Sequence, residues 1–205
     1  MPSTRRSNKQ RREESIESVL DAARLLFVSR GYQATSTADI ARRAGLTKGA
    51  LYFYFKDKQA LVNELLQRSE RTLYRPFFAR LEKDSGSADE KIIRLLNWLA
   101  KIAAENRDDL LLPLLISLEF QGQENPALER VDELRHFMKQ RLVKVIEQGR
   151  AEGSMRSDLS AQAFADTIMA FADGLLLQWY RRGSELDGAT VARAARGVIL
   201  EGVRA

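Results

Sequence analysis

The stretch from Thr35 to Leu61 reads TSTADIARRAGLTKGALYFYFKDKQAL, and it decides the fold. Its first residues, Ser36 to Asp39, have the pattern of a capping box, with aspartate in place of the usual glutamate. Gly45 interrupts the helix that this box opens, and Thr47 can cap a second helix that ends at about Tyr54. Two short helices joined by a glycine-containing turn, and braced by a third helix, form a helix-turn-helix.

The residues of this stretch divide into an inward and an outward set. Those expected to point inward are Ile40, Ala41, Ala44, Leu46, Leu51 and Phe55. On the outward side, Thr47 would leave its hydroxyl near a DNA groove, and Lys48 offers a cation to phosphate or to guanine acceptors. Gly49 and Ala50 keep the helix slim, so that its first turn can lie against base edges or a thymine methyl group.

Five further side chains could face the DNA. Tyr52 and Tyr54 can present hydroxyl groups to it, although Tyr52 could also be ordinary aromatic packing. Lys58 adds a positive side chain to the positive end of the next helix, which makes a good phosphate site. Arg42 and Arg43 either contact phosphate or form a solvated face.

Charge is distributed unevenly along the chain. The net charge is +5, but residues 1–75 hold 15 Lys/Arg against 8 Asp/Glu, whereas residues 76–205 hold 18 against 20. A basic front part suggests a polyanionic partner, although a solubilising surface would look the same. Residues Met1 to Arg12 are basic with almost nothing apolar, and they are predicted to form a disordered arm. The arm would contact a minor groove or the DNA backbone, or it would stay solvated.

Apolar spacing predicts helices along the rest of the chain and no strand, which gives an all-α fold of about nine helices. The domains expected are a three-helix helix-turn-helix DNA-binding domain over residues 13–75 and a larger helical domain over residues 76–205. Asp57 would cap the fourth helix, and Pro76 is expected to kink or end it. Lys83 to Ser87 is the predicted linker.

Several function classes are disfavoured by what the sequence lacks. It has no cysteine, so disulfides and a thiolate nucleophile are impossible. No apolar run approaches the roughly 18 residues of a membrane span, and no signal peptide is evident, so a cytoplasmic protein is expected. His136, the only histidine, lacks partners at metal-ligand spacing, so no metal site is predicted. Without a nucleophile–base pair or a phosphate-binding glycine loop, neither an enzyme nor a cofactor is expected.

The N-terminal part closely resembles the TetR, or tetracycline repressor-like, family. The matching residues are Ser36, Thr37, Ile40, Ala41, the run Ala44 to Gly49, Leu51, Tyr52, Phe55, Lys58 and Leu61. The resemblance extends from Ile16 to Leu66 and includes Leu26-Phe27 and Gly31-Tyr32. Tyr54 departs from the pattern, because many relatives have histidine at this position.

The resemblance implies a homodimeric one-component repressor that binds a palindromic double-stranded DNA operator and is released by a small-molecule effector. It places DNA contacts at Ser36, Thr37, Thr47, Lys48, Gly49, Tyr52, Tyr54 and Lys58. It also implies that the C-terminal domain binds ligand and dimerises through its last two helices. Ligand binding would then move the fourth helix. An activator, or a regulator without a ligand, is the alternative.

The effector site can be predicted only coarsely. The aromatic residues Trp98, Phe120, Phe137, Phe171 and Trp179 could line a cavity, although they could equally be core. The apolar run from Leu110 to Leu118 favours a hydrophobic ligand. Gly174 lies inside a predicted helix, where a close approach at the dimer interface or a local kink would explain it.

Overall fold

The computed structural model describes residues 7–185 and 187–204, and it begins with a long helix. Helix α1 covers Asn8–Arg30, and a capping box between Ser7 and Gln10 closes its N-terminus. The predicted disordered arm is therefore wrong over its second half. Because the box satisfies the first free amide groups of the helix, the basic residues up to Arg12 are helical. Met1 to Arg6 of that arm lie outside the described residues.

Three capped helices follow: α2 over Thr37–Arg43, α3 over Lys48–Tyr54 and α4 over Lys58–Ser69. Every predicted N-cap is confirmed, because the side chains of Ser36, Thr47 and Asp57 accept the amide N–H three residues on, at 3.1, 3.1 and 2.7 Å. Gly45 lies between α2 and α3 with φ at +71°, a left-handed conformation that glycine adopts at no steric cost. The predicted helix-turn-helix is present.

The helix does not end at Pro76. After α4 comes a π-helical segment, Glu70–Tyr74, and then α5 over Arg75–Lys83, so one rod continues through the proline. The amide of Arg75 bonds to the carbonyl of Glu70, five residues back. This wider turn directly precedes the proline ring, which in a regular α-helix would strike the carbonyl four residues earlier. Of the two alternatives for Pro76, the helix end is therefore wrong, and the kink stays a prediction.

The remaining helices are α6 over Ala88–Glu105, α7 over Arg107–Glu119, α8 over Pro126–Ala151, α9 over Ala161–Arg182 and α10 over Gly188–Val203. The linker after Lys83 is confirmed, since Ser87 caps α6. With α4 to α5 counted as one rod, the described residues hold nine rods and no strand, which confirms the all-α fold. None of these helices is long and apolar enough to cross a membrane.

Two apolar cores lie on either side of α7. The first joins α1 to α4 around Phe27, Leu51 and Leu61, and α7 adds Ile116 to it. The second is built from α5, α6, α8, α9 and α10, and α7 adds Leu110 to it. Helix α7 therefore packs against both parts of the molecule. The domain boundary at residue 75 stays a prediction.

Candidate nucleic-acid interface and ligand cavities

Helix α3 has one buried and one exposed face. Leu51 is fully buried in the first core. On the opposite face Tyr52 is 45% exposed and Phe53 is 79% exposed, and Lys48 is exposed beside them. The major groove of DNA is wide enough to admit an α-helix. Helix α3 could therefore enter it with this exposed face against the bases.

The start of α2 lies against the same face. The hydroxyl groups of Thr37 and Tyr52 are 3.1 Å apart, and the ammonium of Lys48 lies 5.7 Å from the centre of the Tyr52 ring. Ser36 is exposed one residue before Thr37. We call Ser36, Thr37, Lys48, Tyr52 and Phe53 the recognition surface. Two separate parts of the predicted site are thus brought together.

The first turn of α3 carries the remaining predicted contacts. Thr47 and Gly49 are exposed, and Ala50 is half-buried. A Cβ atom added to Gly49 would meet only the Thr47 hydroxyl oxygen, at 4.0 Å. Packing among the described residues therefore does not require glycine at this position. A partner molecule that approached the helix closely would require it.

The two aromatic residues after Tyr52 differ from the expectation. Tyr54 is half-buried and packs against the first core, with its ring edge-on to Phe53 at 5.2 Å. Phe53 was missed by the sequence reasoning, although a signal was available. Because Leu51 and Phe55 both point inward at helical spacing, the residue midway between them must point outward.

Lys58 is engaged within the chain. Its ammonium donates to the carbonyl oxygens of Tyr32 and Thr35, at 2.6 and 2.9 Å, and lies 4.1 Å from the centre of the Tyr32 ring. Burial lowers the pKa of Lys58, and the nearby carboxylate of Glu119 opposes that shift. The side chain therefore holds the loop that leads into α2. Its phosphate contact stays a prediction.

Helix α7 holds the same loop from another side. The carboxylate of Glu119 accepts the amide N–H groups of Tyr32 and Gln33, at 2.8 and 2.6 Å. At the other end of α7, Asp109 pairs with Arg24 of α1 at 2.8 Å. These residues lie far apart in the chain, so no sequence pattern predicted the contacts. Both ends of α7 are thereby tied to α1 and to the loop that leads into α2.

The arginines at the end of α2 face solvent. Arg42 pairs with Asp39, yet its side chain remains 76% exposed, and Arg43 is exposed as well. The hydrogen bond from Ser36 holds the pKa of Asp39 below its usual value. Phosphate contact and a solvated face both stay open for these two arginines.

The C-terminal helices surround two adjoining cavities. The groove, of about 460 Å³, lies between α6, α9 and α10 and is lined by the predicted residues Phe171 and Trp179. The chamber, of about 90 Å³, lies deeper, between the α4–α5 rod, α6, α7, α8 and α9, and is lined by the predicted Trp98. The residues that line both cavities are Leu99, Leu110, Ala172 and Leu176.

Two of the aromatic residues predicted for the effector site line neither cavity. Phe120 is only 2% exposed, and because it follows the last turn of α7 it packs into the first core, edge-on to Tyr32 at 5.0 Å. Phe137 packs edge-on to Phe78 at 5.7 Å, with the Arg141 guanidinium 3.5 Å above its ring. These contacts agree with the alternative that the two rings are core, and their place in an effector site stays a prediction.

Few polar side chains face the chamber. Arg135 of α8 and Asp173 of α9 both line it and form an ion pair at 2.8 Å. Tyr74 also lines it and is 4% exposed, and burial raises the pKa of its hydroxyl. His136, next to Arg135 on α8, is exposed at the surface. The described residues contain no group of His, Asp and Glu that could hold a metal ion.

The outer faces of α9 and α10 carry small residues. Gly174 is exposed in α9, and a Cβ atom added there would meet nothing within 4 Å. The same holds for Gly197 in α10, beside Val198, which is 60% exposed. No contact among the described residues requires these glycines. The close approach to a second subunit predicted for Gly174 stays a prediction.

Comparison with known proteins matches both parts of the chain. Residues 19–65 match bacterial regulatory proteins of the tetR family, and residues 98–201 match the C-terminal part of BetI-type transcriptional repressors. The first match contains the helix-turn-helix and its bracing helices. The second contains the helices around the groove and most of those around the chamber.

Individual relatives extend over nearly the whole chain. The HTH-type transcriptional regulator AcrR of Shigella flexneri is 28% identical over 208 residues, covering 96% of this chain and 92% of AcrR. The HTH-type transcriptional repressor KstR2 of Mycolicibacterium smegmatis is 25% identical, covering 98% and 95%. The crystal structure of the MbdR regulator from Azoarcus sp. CIB is 37% identical with a TM-score of 0.85, covering 93% of this chain and 100% of MbdR.

Proposed function

Since the chain belongs to the TetR family of bacterial regulatory proteins, we propose that it is a one-component repressor that binds a palindromic operator as a homodimer. A small, largely apolar effector releases it from the DNA. The observation that carries the proposal is the recognition surface, where residues of α2 and α3 form one exposed cluster beside a fully buried Leu51.

The recognition surface has the chemistry of a major-groove reader. Lys48 can donate to guanine acceptors or to phosphate, and the hydroxyl groups of Thr37 and Tyr52 can bond to phosphate oxygens. Phe53 offers an apolar surface to a thymine methyl group. Gly49 lets the first turn of α3 approach the base edges closely. Thr47, Ala50 and Tyr54 border this surface.

A homodimer through α9 and α10 is supported by their small exposed residues. Gly174 in the middle of a helix costs about 1 kcal/mol relative to alanine, and no close packing among the described residues offsets that cost. A second α9 packed closely against it would do so. A two-fold pair also sets the spacing of the two half-sites on the operator.

Release is proposed to pass through α7. A ligand in the chamber would press on Leu110, Pro113 and Leu114 of this helix. Asp109 and Glu119 at its two ends hold α1 and the loop before α2. A shift of α7 would therefore turn the DNA-facing helices, and two recognition surfaces would no longer fit one operator. In this proposal α7 transmits ligand binding to the DNA-binding helices, whereas the resemblance implied that the fourth helix would move.

Repression is favoured over activation, because KstR2 is named a repressor and the C-terminal part matches BetI-type repressors. The chain would act in the cytoplasm, where bacterial operators lie. It would catalyse no reaction, because the recognition surface and the cavities are built for binding.

The test uses an operator selected from a random duplex pool with the full chain. Lys48→Ala and Tyr52→Ala should each weaken binding to this duplex about tenfold or more, while sedimentation shows an unchanged dimer. If Lys48 contacts phosphate, its loss should also lower the log–log salt slope by about 0.9. Lys144→Ala, on the exposed side of α8, is the matched control. Wild-type binding by both recognition variants would show that α3 is misassigned.

A further inference from the structure

The chamber is largely apolar. Its walls are mainly Phe78, Leu95, Leu110, Leu114, Met138 and Ile168. The lining side chains with polar groups are Tyr74, Arg135, Asp173 and Trp98, the last through its indole N–H. Because so few polar groups face the cavity, each of them restricts the chemistry of a molecule that can bind there.

The hydroxyl of Tyr74 has no hydrogen-bond partner among the described residues. The side chain is 4% exposed, and its ring is fixed edge-on to Trp98 at 5.6 Å. The hydroxyl is not one of the fully enclosed polar atoms, so room for a partner remains beside it. A ligand that supplies an acceptor there gains a hydrogen bond in a largely apolar site, whereas a ligand without one leaves the donor unpaired. Burial raises the pKa of this phenol, which keeps it protonated and able to donate.

The two charged side chains neutralise each other. Arg135 and Asp173 are paired at 2.8 Å, so the chamber offers no unpaired charge from them. The carboxylate of Asp109, held by Arg24 at 2.8 Å, is also close enough to act on Tyr74. An anionic ligand would lie near the carboxylates of Asp109 and Asp173 and be repelled by them. A cationic ligand would compete with Arg135 for the carboxylate of Asp173. The chamber therefore disfavours a charged ligand.

We propose that the effector is an uncharged, largely apolar molecule with a carbonyl, ether or hydroxyl oxygen that accepts a hydrogen bond from Tyr74. This inference rests on the proposed function, because it names the chemistry of the molecule that releases the repressor. The adjoining groove holds the apolar body of the ligand. Its volume of about 460 Å³ lies in the range of small-molecule sites, and Leu99 and Leu176 separate it from the chamber.

Three probes of matched length test the inference by calorimetry on the full chain: benzylacetone, which carries a ketone; n-butylbenzene, which carries none; and hydrocinnamate, which carries a carboxylate. Benzylacetone is expected to bind about tenfold more tightly than n-butylbenzene, and hydrocinnamate to bind most weakly. Tyr74→Phe should remove the preference for the ketone and leave n-butylbenzene affinity unchanged.

Tyr180→Phe is the matched control, because it deletes a hydroxyl that donates to the carbonyl of Val28 at 3.0 Å, outside the chamber. It should keep the preference for the ketone. Tyr74→Phe removes only an unpaired hydroxyl, so the variant should unfold at the wild-type temperature or above it. Three results would overturn the inference: no binding by any probe, tightest binding by hydrocinnamate, or a ketone preference that persists in Tyr74→Phe.

Failure here and failure of the proposed function are distinguishable. If the chain prefers no duplex from the random pool but binds benzylacetone through Tyr74, the regulator proposal fails and the ligand chemistry stands. If the chain binds a selected palindrome while the probes show no dependence on Tyr74, only the ligand chemistry fails.

Discussion

The DNA-facing helices and the C-terminal helices differ in how completely the chain fills its own interior. Around α3, Ile40, Leu51 and Leu61 are fully buried, and each predicted N-cap is in place. Between α6, α9 and α10 the groove leaves about 460 Å³ open, and the chamber lies beside it. The helices around α3 have a filled core that fixes the shape of the recognition surface. The C-terminal helices leave cavities that a ligand can occupy.

This difference predicts unequal costs for the same truncation. Leu51→Ala should lower the free energy of unfolding in urea by about 2–5 kcal/mol, because it opens a cavity in a filled core. Leu175→Ala, at the wall of the groove, should cost about 1 kcal/mol or less, because that side already borders open space. Equal losses in the two variants would contradict the contrast.

The outer face of α9 offers a second way to test the contrast. Gly174→Leu places a large side chain where the chain itself has room, so the subunit should fold at least as well as the wild type. In a two-fold dimer both subunits would carry the added side chain at the interface, which should weaken dimerisation about a hundredfold and reduce operator binding with it. Sedimentation measures the dimerisation constant. Lys144→Leu on α8 is the control, and an intact Gly174→Leu dimer would place the interface elsewhere.

The link between the two regions is tested at Glu119. In Glu119 each carboxylate oxygen accepts one amide N–H group, and Glu119→Gln replaces one of these two acceptor oxygens with an NH₂ donor that faces an N–H group. Hydrogen exchange at the Tyr32 and Gln33 amides should accelerate about tenfold. The variant should still bind operator, but effector should release it less completely. Unchanged exchange at both amides would remove α7 from the proposed route.

The smallest effect is expected at Phe53. Phe53→Ala removes an exposed ring and should leave the unfolding free energy unchanged, while operator affinity falls about threefold to tenfold. Leu159→Ala, whose side chain is 53% exposed outside α3, is the control. A Phe53→Ala variant that loses stability instead of affinity would mean that the ring packs within the protein.

The two regions also differ in how far the sequence predicts them. The helix-turn-helix depends on local chemistry, in which Ser36, Thr47 and Asp57 bond to amides three residues away, and such spacing is visible in a sequence. The first turns of α1 escape prediction from apolar spacing, because they hold almost no apolar residue and are begun by the polar Ser7–Gln10 capping box. For Phe120 and Phe137 the sequence left core and cavity open, because apolar spacing identifies a buried face without identifying what it packs against. The contacts of Glu119 join residues far apart in the sequence, so no local sequence pattern predicts them.

A footprint of the full chain on its selected operator tests the central claim most directly. Hydroxyl-radical cleavage should reveal two symmetric protected segments on one face of the duplex, about one helical turn apart or a multiple of it, as two copies of α3 require. In the Lys48→Ala variant both segments should fade together. A single unsymmetric protected segment, or protection that is the same on any duplex, would contradict the account.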